Sequence, residues 1–234
     1  MLDDQHLTGR GSAHAPSLRR RLGRAAAGPP ARRAGPRARF RGRVRDTGMT
    51  GVQPASSADA AQWLLASGAD WWDLVRYGPP GFDAYVRVAF DPDPGEDPTG
   101  EDPGLRRTLG VLATHTATPA IACAAIWEGW TSRQPPPPAP RVHIPHRTML
   151  LFTGPVGVLR DAPALAWQEP GRSYQAPHLV WPADRAWCLA CEVDEEIEFS
   201  VGCTEDAARA LADAMPGAVR RVAYGEAAPM YRDP

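Results

Sequence analysis

The 234-residue chain contains no lysine, although it carries 26 basic side chains, all of them arginine. Alanine, glycine and proline are abundant, and this combination indicates the codon usage of a GC-rich genome rather than selection for guanidinium chemistry. No run of about 18 apolar residues occurs, so the sequence predicts no transmembrane helix and no membrane partner. The four cysteines are too few for a disulfide-stapled scaffold. We therefore expect a cytoplasmic protein.

Several named catalytic signatures are also missing. The sequence has no glycine-rich phosphate loop, no G-x-S-x-G elbow and no H-E-x-x-H motif, which excludes the enzyme classes that depend on them. Nothing in the sequence indicates a cofactor. An acid–base site leaves no such signature. Whether the protein is an enzyme therefore stays open at this point.

Charge is distributed unevenly along the chain. Residues 1–48 hold 12 arginines and three carboxylates, whereas residues 49–234 hold 14 arginines, 24 carboxylates and all eight tryptophans. We predict that residues 1–48 form a disordered basic tail and that residues 49–234 form a single domain. The tail has three interpretations: a translated stretch upstream of a true start at Met49, an inert tail, or an arm that neutralises nucleic-acid phosphates. The three consecutive arginines within 17–22 are followed by no apolar region, so the sequence predicts no export signal.

The pattern of residues 49–234 predicts an α+β fold, in which helices cover one face of a mainly antiparallel sheet. Helices are predicted at 58–67, 105–112, 119–130 and 205–215, and strands at 83–90, 147–154, 186–193, 197–203 and 218–224. The acidic, proline-rich segment 91–104 is predicted to be a solvated loop, because its prolines interrupt the pattern of an EF-hand calcium site. The proline-rich segment 134–140 is predicted to be a spacer, with a polyproline ligand as the alternative.

The motif Cys188-x-x-Cys191 comes closest to a named catalytic signature. In a strand, side chains three positions apart point to opposite faces, so these thiols cannot form a disulfide. A redox motif would place its first cysteine at a helix N-terminus, which this segment lacks. His143 and His146 would complete a set of four zinc ligands, but no glycine follows Cys191 to form a zinc knuckle. We predict buried structural cysteines and no metal.

Four segments carry a resemblance to known proteins. GFDAYVRV, TPAIACAAIWEGW, RTMLLFTGP and LVWPADRAWCLACEVD resemble an uncharacterised family of actinobacterial proteins. The resemblance covers roughly residues 63–224 and leaves out the arginine-rich tail. It implies a bacterial origin, the domain boundary and the late start. The family has no assigned activity, so the resemblance transfers no catalytic residue.

The segment LVWPADRAWCLACEVD contains a predicted turn in which Asp184 and Arg185 lie between Trp181 and Trp187. Tryptophan and arginine often dominate binding energy, so we predict that 181–187 forms the rim of a binding surface. In the structural alternative, the aspartate caps the turn, the arginine stacks on a tryptophan, and both tryptophans point inward. Further candidate site residues are Arg87 and Glu128.

Three functional hypotheses follow. The sequence favours a non-enzymatic cytoplasmic binding or regulatory protein, immunity proteins being one such type, that recognises a protein partner through an aromatic and acidic surface. The alternative is a small-molecule enzyme whose acid–base site combines Glu128, Asp184 and Arg87. A third hypothesis is nucleic-acid binding through the basic tail. The acidic body argues against it, so a nucleic-acid partner is not expected.

Overall fold

One antiparallel sheet organises the described part of the chain. The structure, a computed structural model, describes residues 51–91, 102–129, 138–159 and 176–231. The strands in these ranges are β1 (Gln53–Pro54), β2 (Ala84–Ala89), β3 (Ala122–Trp127), β4 (Arg141–Ile144), β5 (Arg147–Gly154), β6 (Leu179–Pro182), β7 (Cys188–Ala190), β8 (Glu198–Cys203) and β9 (Val219–Val222). Their order is β1-β5-β3-β6-β7-β8-β2-β9, and β4 also pairs with β5. Every pairing is antiparallel.

Five helices pack on this sheet within the described ranges. They are α1 (Gln62–Leu65), which follows a 3₁₀ turn at Asp59–Ala61, α2 (Trp71–Tyr77), α3 (Pro103–Leu112), α4 (Val156–Leu159) and α5 (Glu205–Ala214). Side-chain caps begin the longer helices: Asp102 accepts a hydrogen bond from Leu105 N, and Thr204 accepts one from Ala207 N. The predicted α+β class with an antiparallel sheet is confirmed.

The helices lie on both faces of the sheet. Helices α3, α4 and α5 cover one face, which we call the apolar face; its core includes Leu109, Phe199 and Val201. Helices α1 and α2 cover the other face, which we call the mixed face, and pack on β3, β6 and β7. The two ten-residue helices, α3 and α5, thus lie on one face, as the sequence predicts for the helices. The two short helices α1 and α2 form a further layer on the other face. Helix α2 is only seven residues long, too short to show a clear period in the sequence.

The segment predicted as a buried helix at 119–130 contains strand β3 instead. Its side chains Ala122 to Ile126 are all buried, because β3 lies between β5 and β6 and has core on both of its faces. A strand that is buried on both faces has a continuous apolar run rather than an alternating one. Such a run cannot be distinguished from a buried helix by periodicity, which explains why the helix prediction is wrong.

The two cysteines of the Cys188-x-x-Cys191 motif face opposite sides of the sheet. Cys188 belongs to the core of the mixed face, whereas Cys191 packs against the apolar face. Both are free thiols. Burial raises the pKa of each thiol far above its usual range, which disfavours the nucleophilic thiolate. Among the described residues, no cluster of three or more histidine, cysteine or carboxylate side chains is arranged to hold a metal ion.

A glycine permits the close contact between α2 and β7. Gly78 ends α2 with a φ of 75°, a conformation that glycine adopts without strain. A Cβ at this position would lie 2.9 Å from Cys188 Sγ. A larger residue would therefore push the end of α2 away from the sheet.

Several predicted features lie outside the described residues. These are the basic tail 1–48 with the boundary at Met49, most of the acidic segment 91–104, and the first half of the proline-rich spacer 134–140. Within the described ranges, every helix is too short or too polar to span a bilayer.

Candidate functional site

The sequence-predicted site residues lie in three separate places. Trp181, Asp184 and Arg185 lie at the end of β6 and in the turn after it, whereas Arg87 lies in β2, with β7 and β8 between them. Glu128 follows the end of β3 that is farther from Trp181, because the β3 residue paired with Trp181 is near the start of that strand. The structure therefore does not bring these residues into one cleft.

Glu128 belongs to an exposed ion pair. Its Oε2 lies 2.7 Å from Nε of Arg141, and both side chains are accessible to solvent. Exposed pairs of this kind contribute little to stability. Neither partner contacts the other predicted site residues.

The side chain of Asp184 stabilises the turn in which it lies. Its carboxylate accepts hydrogen bonds from Thr116 Oγ1 at 2.7 Å, from Ala117 N at 2.6 Å and from Ala186 N at 3.2 Å. Partial burial raises the pKa of this carboxyl, but the hydrogen bonds outweigh burial and hold the pKa below its usual range. The aspartate therefore ties the turn to the chain before β3, as the structural alternative expects.

The two tryptophans of the predicted rim are buried on opposite faces. Trp187 is 0% exposed on the apolar face, and its Nε1 donates to Leu112 O at 2.9 Å. Trp181 is 1% exposed on the mixed face, where its ring meets the edge of Trp63 at a centroid distance of 6.3 Å. This corrects the rim prediction for the tryptophans, since neither ring presents a surface large enough to form a rim.

Arg185 is exposed, and it is fixed in an unusual conformation. Its guanidinium carbon lies 5.4 Å from the centroid of the Trp63 ring, a cation–π contact. Its φ is 59°, in the left-handed region that residues other than glycine rarely adopt. Within the described part of the chain, the guanidinium forms neither a hydrogen bond nor an ion pair. A charged group that has no ion-pair partner among the described residues is thus held in place by an aromatic ring.

A small cavity adjoins Arg185. Its volume is about 230 Å³, and it is lined by Ala55, Ser56, Ser57, Ala60, Ile121, Cys123, Thr153, Trp181, Ala183 and Arg185. Ile121 is 57% exposed, which is high for a large apolar side chain. We call this cavity, together with Trp63, the Arg185 surface. It combines an exposed aliphatic side chain, an aromatic ring and an exposed cation.

Arg87 belongs to a different structure, a buried ion cluster on the mixed face. Its Nη2 lies 2.8 Å from Glu195 Oε1, and its Nε lies 2.8 Å from Glu198 Oε1. Arg76 of α2 adds a third pair, with its Nη2 3.1 Å from Glu195 Oε2. Burial raises the pKa of Glu195, and the charges of Arg87 and Arg76 oppose that rise. We call Arg76, Arg87, Glu195 and Glu198 the buried ion cluster.

The segment 223–231 covers the buried ion cluster. Arg76 Nη2 donates to Ala228 O at 3.2 Å, the Tyr77 hydroxyl donates to the carbonyl of Glu226, and Glu196 N donates to Met230 O at 2.9 Å. A cavity of about 350 Å³ lies beside these contacts. Arg87 itself is only 1% exposed, so the cluster holds the fold together and does not present Arg87 to a ligand.

A roomier cavity of about 560 Å³ lies where β2 ends and where α3 begins. Its lining includes Phe90, Asp91, Arg107 and Met215. Its described lining has one carboxylate, Asp91, and one guanidinium, Arg107, and none of the predicted site residues. Size alone therefore does not mark it as the functional site.

The residues of the Arg185 surface and of the buried ion cluster that the sequence did not indicate come from distant parts of the chain. Trp63 and Ile121 join Arg185 only through the fold, and neither has a local signal. The sequence contains one signal of the buried ion cluster. Arg87 lies inside the apolar strand AYVRVA, where a charge requires a buried partner. The sequence does not say that the partners are Glu195 and Glu198.

Comparisons with known proteins assign neither a family nor a function to the chain, so a functional proposal has to rest on the geometry of the site. No protein-family model matches the chain, and searches of curated proteins and of solved structures found no match. The resemblance to an actinobacterial family stays a prediction.

Proposed function

We propose that the chain is a non-catalytic binding protein that recognises a protein partner through the Arg185 surface. The observation that carries this proposal is the state of Arg185, which is exposed, stacked on Trp63 and without an ion-pair partner in the described residues. A left-handed conformation at a residue other than glycine costs on the order of 1 kcal/mol. A glycine would avoid that cost, and a binding role for the arginine side chain accounts for the strained conformation.

The composition of the Arg185 surface supports a binding role. Arginine and tryptophan are enriched among the residues that dominate binding energy, and Ile121 adds exposed apolar area beside them. Because the Trp63 ring already orients the guanidinium, binding orders the side chain at a smaller entropic cost. The sequence predicts an aromatic and acidic surface, whereas the Arg185 surface is aromatic and basic. The acidic candidate, Asp184, instead accepts hydrogen bonds that stabilise its own turn.

The alternative hypotheses receive less support. The proposed acid–base residues Glu128, Asp184 and Arg87 lie apart, and the hydrogen bonds of Asp184 leave it no free role in proton transfer. The nucleic-acid hypothesis depends on residues 1–48, which lie outside the described residues. The cytoplasmic location and the regulatory or immunity role remain part of the proposal.

A peptide-display selection on the full-length chain tests the proposal. We expect enriched peptides to bind the parent and to lose about tenfold or more in affinity for Arg185→Gly, the loss expected when a dominant binding residue is removed. Arg209→Ala is the control, since Arg209 is an exposed arginine on α5 that lies outside the Arg185 surface. Peptides that bind parent and Arg185→Gly equally well would contradict the proposal, as would a selection that enriches nothing.

A further inference from the structure

We infer that the Arg185 surface takes a partner segment in which a carboxylate lies next to a medium-sized apolar side chain. The carboxylate pairs with the Arg185 guanidinium, and the apolar side chain enters the cavity of about 230 Å³. This inference rests on the proposed function and specifies the chemistry of the partner. The ligand is an acidic, apolar peptide segment of another protein.

Charge complementarity selects the carboxylate. The neighbouring Asp184 forms no ion pair with Arg185; its carboxylate instead accepts hydrogen bonds from Thr116 and Ala117. The planar guanidinium matches a carboxylate through two parallel hydrogen bonds. Arg185 is the one cation among the described residues that line the cavity. A single guanidinium suits one carboxylate better than it suits a phosphate, which carries about two negative charges and several acceptor oxygens.

The cavity determines the second part of the ligand. A volume of about 230 Å³ is below the range of roughly 300–1,000 Å³ that is typical of sites for whole small molecules, so it suits one side chain. Two of its hydroxyls are already used, since Thr153 donates to Ala122 O at 3.0 Å and Ser57 donates to Asp59 at 2.9 Å. Alanine side chains and Ile121 form much of the remaining lining. The interior therefore favours an aliphatic group.

The backbone of Arg185 supplies a variant that separates binding from stability. Glycine adopts a φ of 59° without strain, so Arg185→Gly should fold at least as stably as the parent. The same substitution removes the guanidinium and its contact with Trp63. Arg185→Lys keeps the charge but loses the planar fork, so it reports whether two parallel hydrogen bonds are needed.

The test uses two capped tetrapeptides, acetyl-Gly-Leu-Glu-Gly-amide and acetyl-Gly-Leu-Gln-Gly-amide, titrated into the isotope-labelled full-length chain. We expect the glutamate peptide to shift the NMR signals of the Trp63 indole and the Ile121 methyls. We expect it to bind at least about fivefold more tightly than the glutamine peptide, because only the carboxylate forms charge-assisted hydrogen bonds. Arg185→Gly should abolish this preference, and replacing the leucine of the peptide by alanine should weaken binding further.

Each other outcome overturns a defined part of the inference. Equal affinity for the two peptides, with dependence on Arg185, would disprove the carboxylate requirement and leave the proposed function standing. Shifts that persist unchanged in Arg185→Gly would show that Arg185 does not contribute to binding, and would disprove both the inference and the proposed function. A phosphoserine peptide that binds at least about tenfold more tightly than the glutamate peptide would assign the site to phosphate instead. No shift with either peptide at millimolar concentration would overturn the inference. The peptide-display selection would then still decide whether the Arg185 surface binds a protein partner.

Discussion

The two faces of the sheet use the same strands in different ways. On β2, Val86 and Val88 contribute to the apolar face, whereas Arg87 between them points to the mixed face and joins the buried ion cluster. The apolar face needs only complementary shape, because hydrocarbon packing is not directional. The mixed face needs specific partners, because a buried charge without a counter-charge is costly. Removing one side chain should therefore have different consequences on the two faces.

The largest expected effect is on the mixed face, at Glu195. Glu195→Ala leaves both Arg76 and Arg87 without the carboxylate that they share, and we expect a loss of about 3–5 kcal/mol in the free energy of unfolding. Urea unfolding measures this loss. Glu196→Ala, a change at the exposed neighbouring glutamate, is the control and should have little effect. A loss below about 1 kcal/mol for Glu195→Ala would show that solvent screens the charges of the cluster, as it does for exposed ion pairs.

A somewhat smaller effect is expected on the apolar face. Leu109 is completely buried between α3 and the sheet, and Leu109→Ala should cost about 3 kcal/mol through lost burial and the cavity left behind. Leu109→Met, which nearly conserves volume, should cost less than about 1.5 kcal/mol. Leu65→Ala is the matched control, because Leu65 is an exposed leucine on α1. Equal losses for Leu109→Ala and Leu65→Ala would contradict the assigned core.

The next effect depends on pH and concerns His178, just before β6. Burial lowers the pKa of His178 to about 4; Glu192 opposes this shift and Arg147 adds to it. The neutral ring accepts a hydrogen bond at Nδ1 from Trp127 N, at 3.1 Å. Between about pH 6.5 and 4 the unfolded chain binds a proton that the folded chain does not. Stability should therefore be full above about pH 6.5 and should fall toward pH 4, by up to about 3 kcal/mol.

The comparison of parent and His178→Gln isolates this contribution, since other groups titrate in both proteins. Urea midpoints measured from pH 7.5 to 4.5 should converge as the pH falls, because the variant cannot gain the proton. Parallel curves for the two proteins would exclude His178 as the source of the pH dependence.

The smallest effect is expected at an exposed ion pair. Arg209 on α5 pairs with Asp206, and both side chains are largely exposed. Arg209→Ala should change the free energy of unfolding by less than about 0.5 kcal/mol, because water screens the pair and the side chains lose entropy in forming it. Thermal unfolding in low and high salt measures this. A loss comparable to that of Glu195→Ala would remove the distinction between buried and exposed pairs.

Local signals made much of the fold predictable from sequence. Strand β5 at Arg147–Gly154 matches the predicted 147–154, and α5 begins after Thr204 as its cap predicts. Strand β3 was mistaken for a helix because both of its faces are buried. The structural alternative for the turn includes the stacking of Arg185 on a tryptophan, and the structure shows this contact. The tryptophan is Trp63, more than a hundred residues earlier, and a contact of that range leaves no local pattern.

The position of β2 in the sheet has a consequence for the order of folding. Its two neighbours are β8 and β9, which follow more than 100 residues later in the chain. Strand β2 therefore has no partner until a long intervening loop has been closed, and closing such loops costs entropy before any contact forms. Sheets built on distant pairings fold slowly. During synthesis, the apolar and charged side chains of β2 stay unpaired until β8 and β9 have been made, which exposes this strand to misassembly.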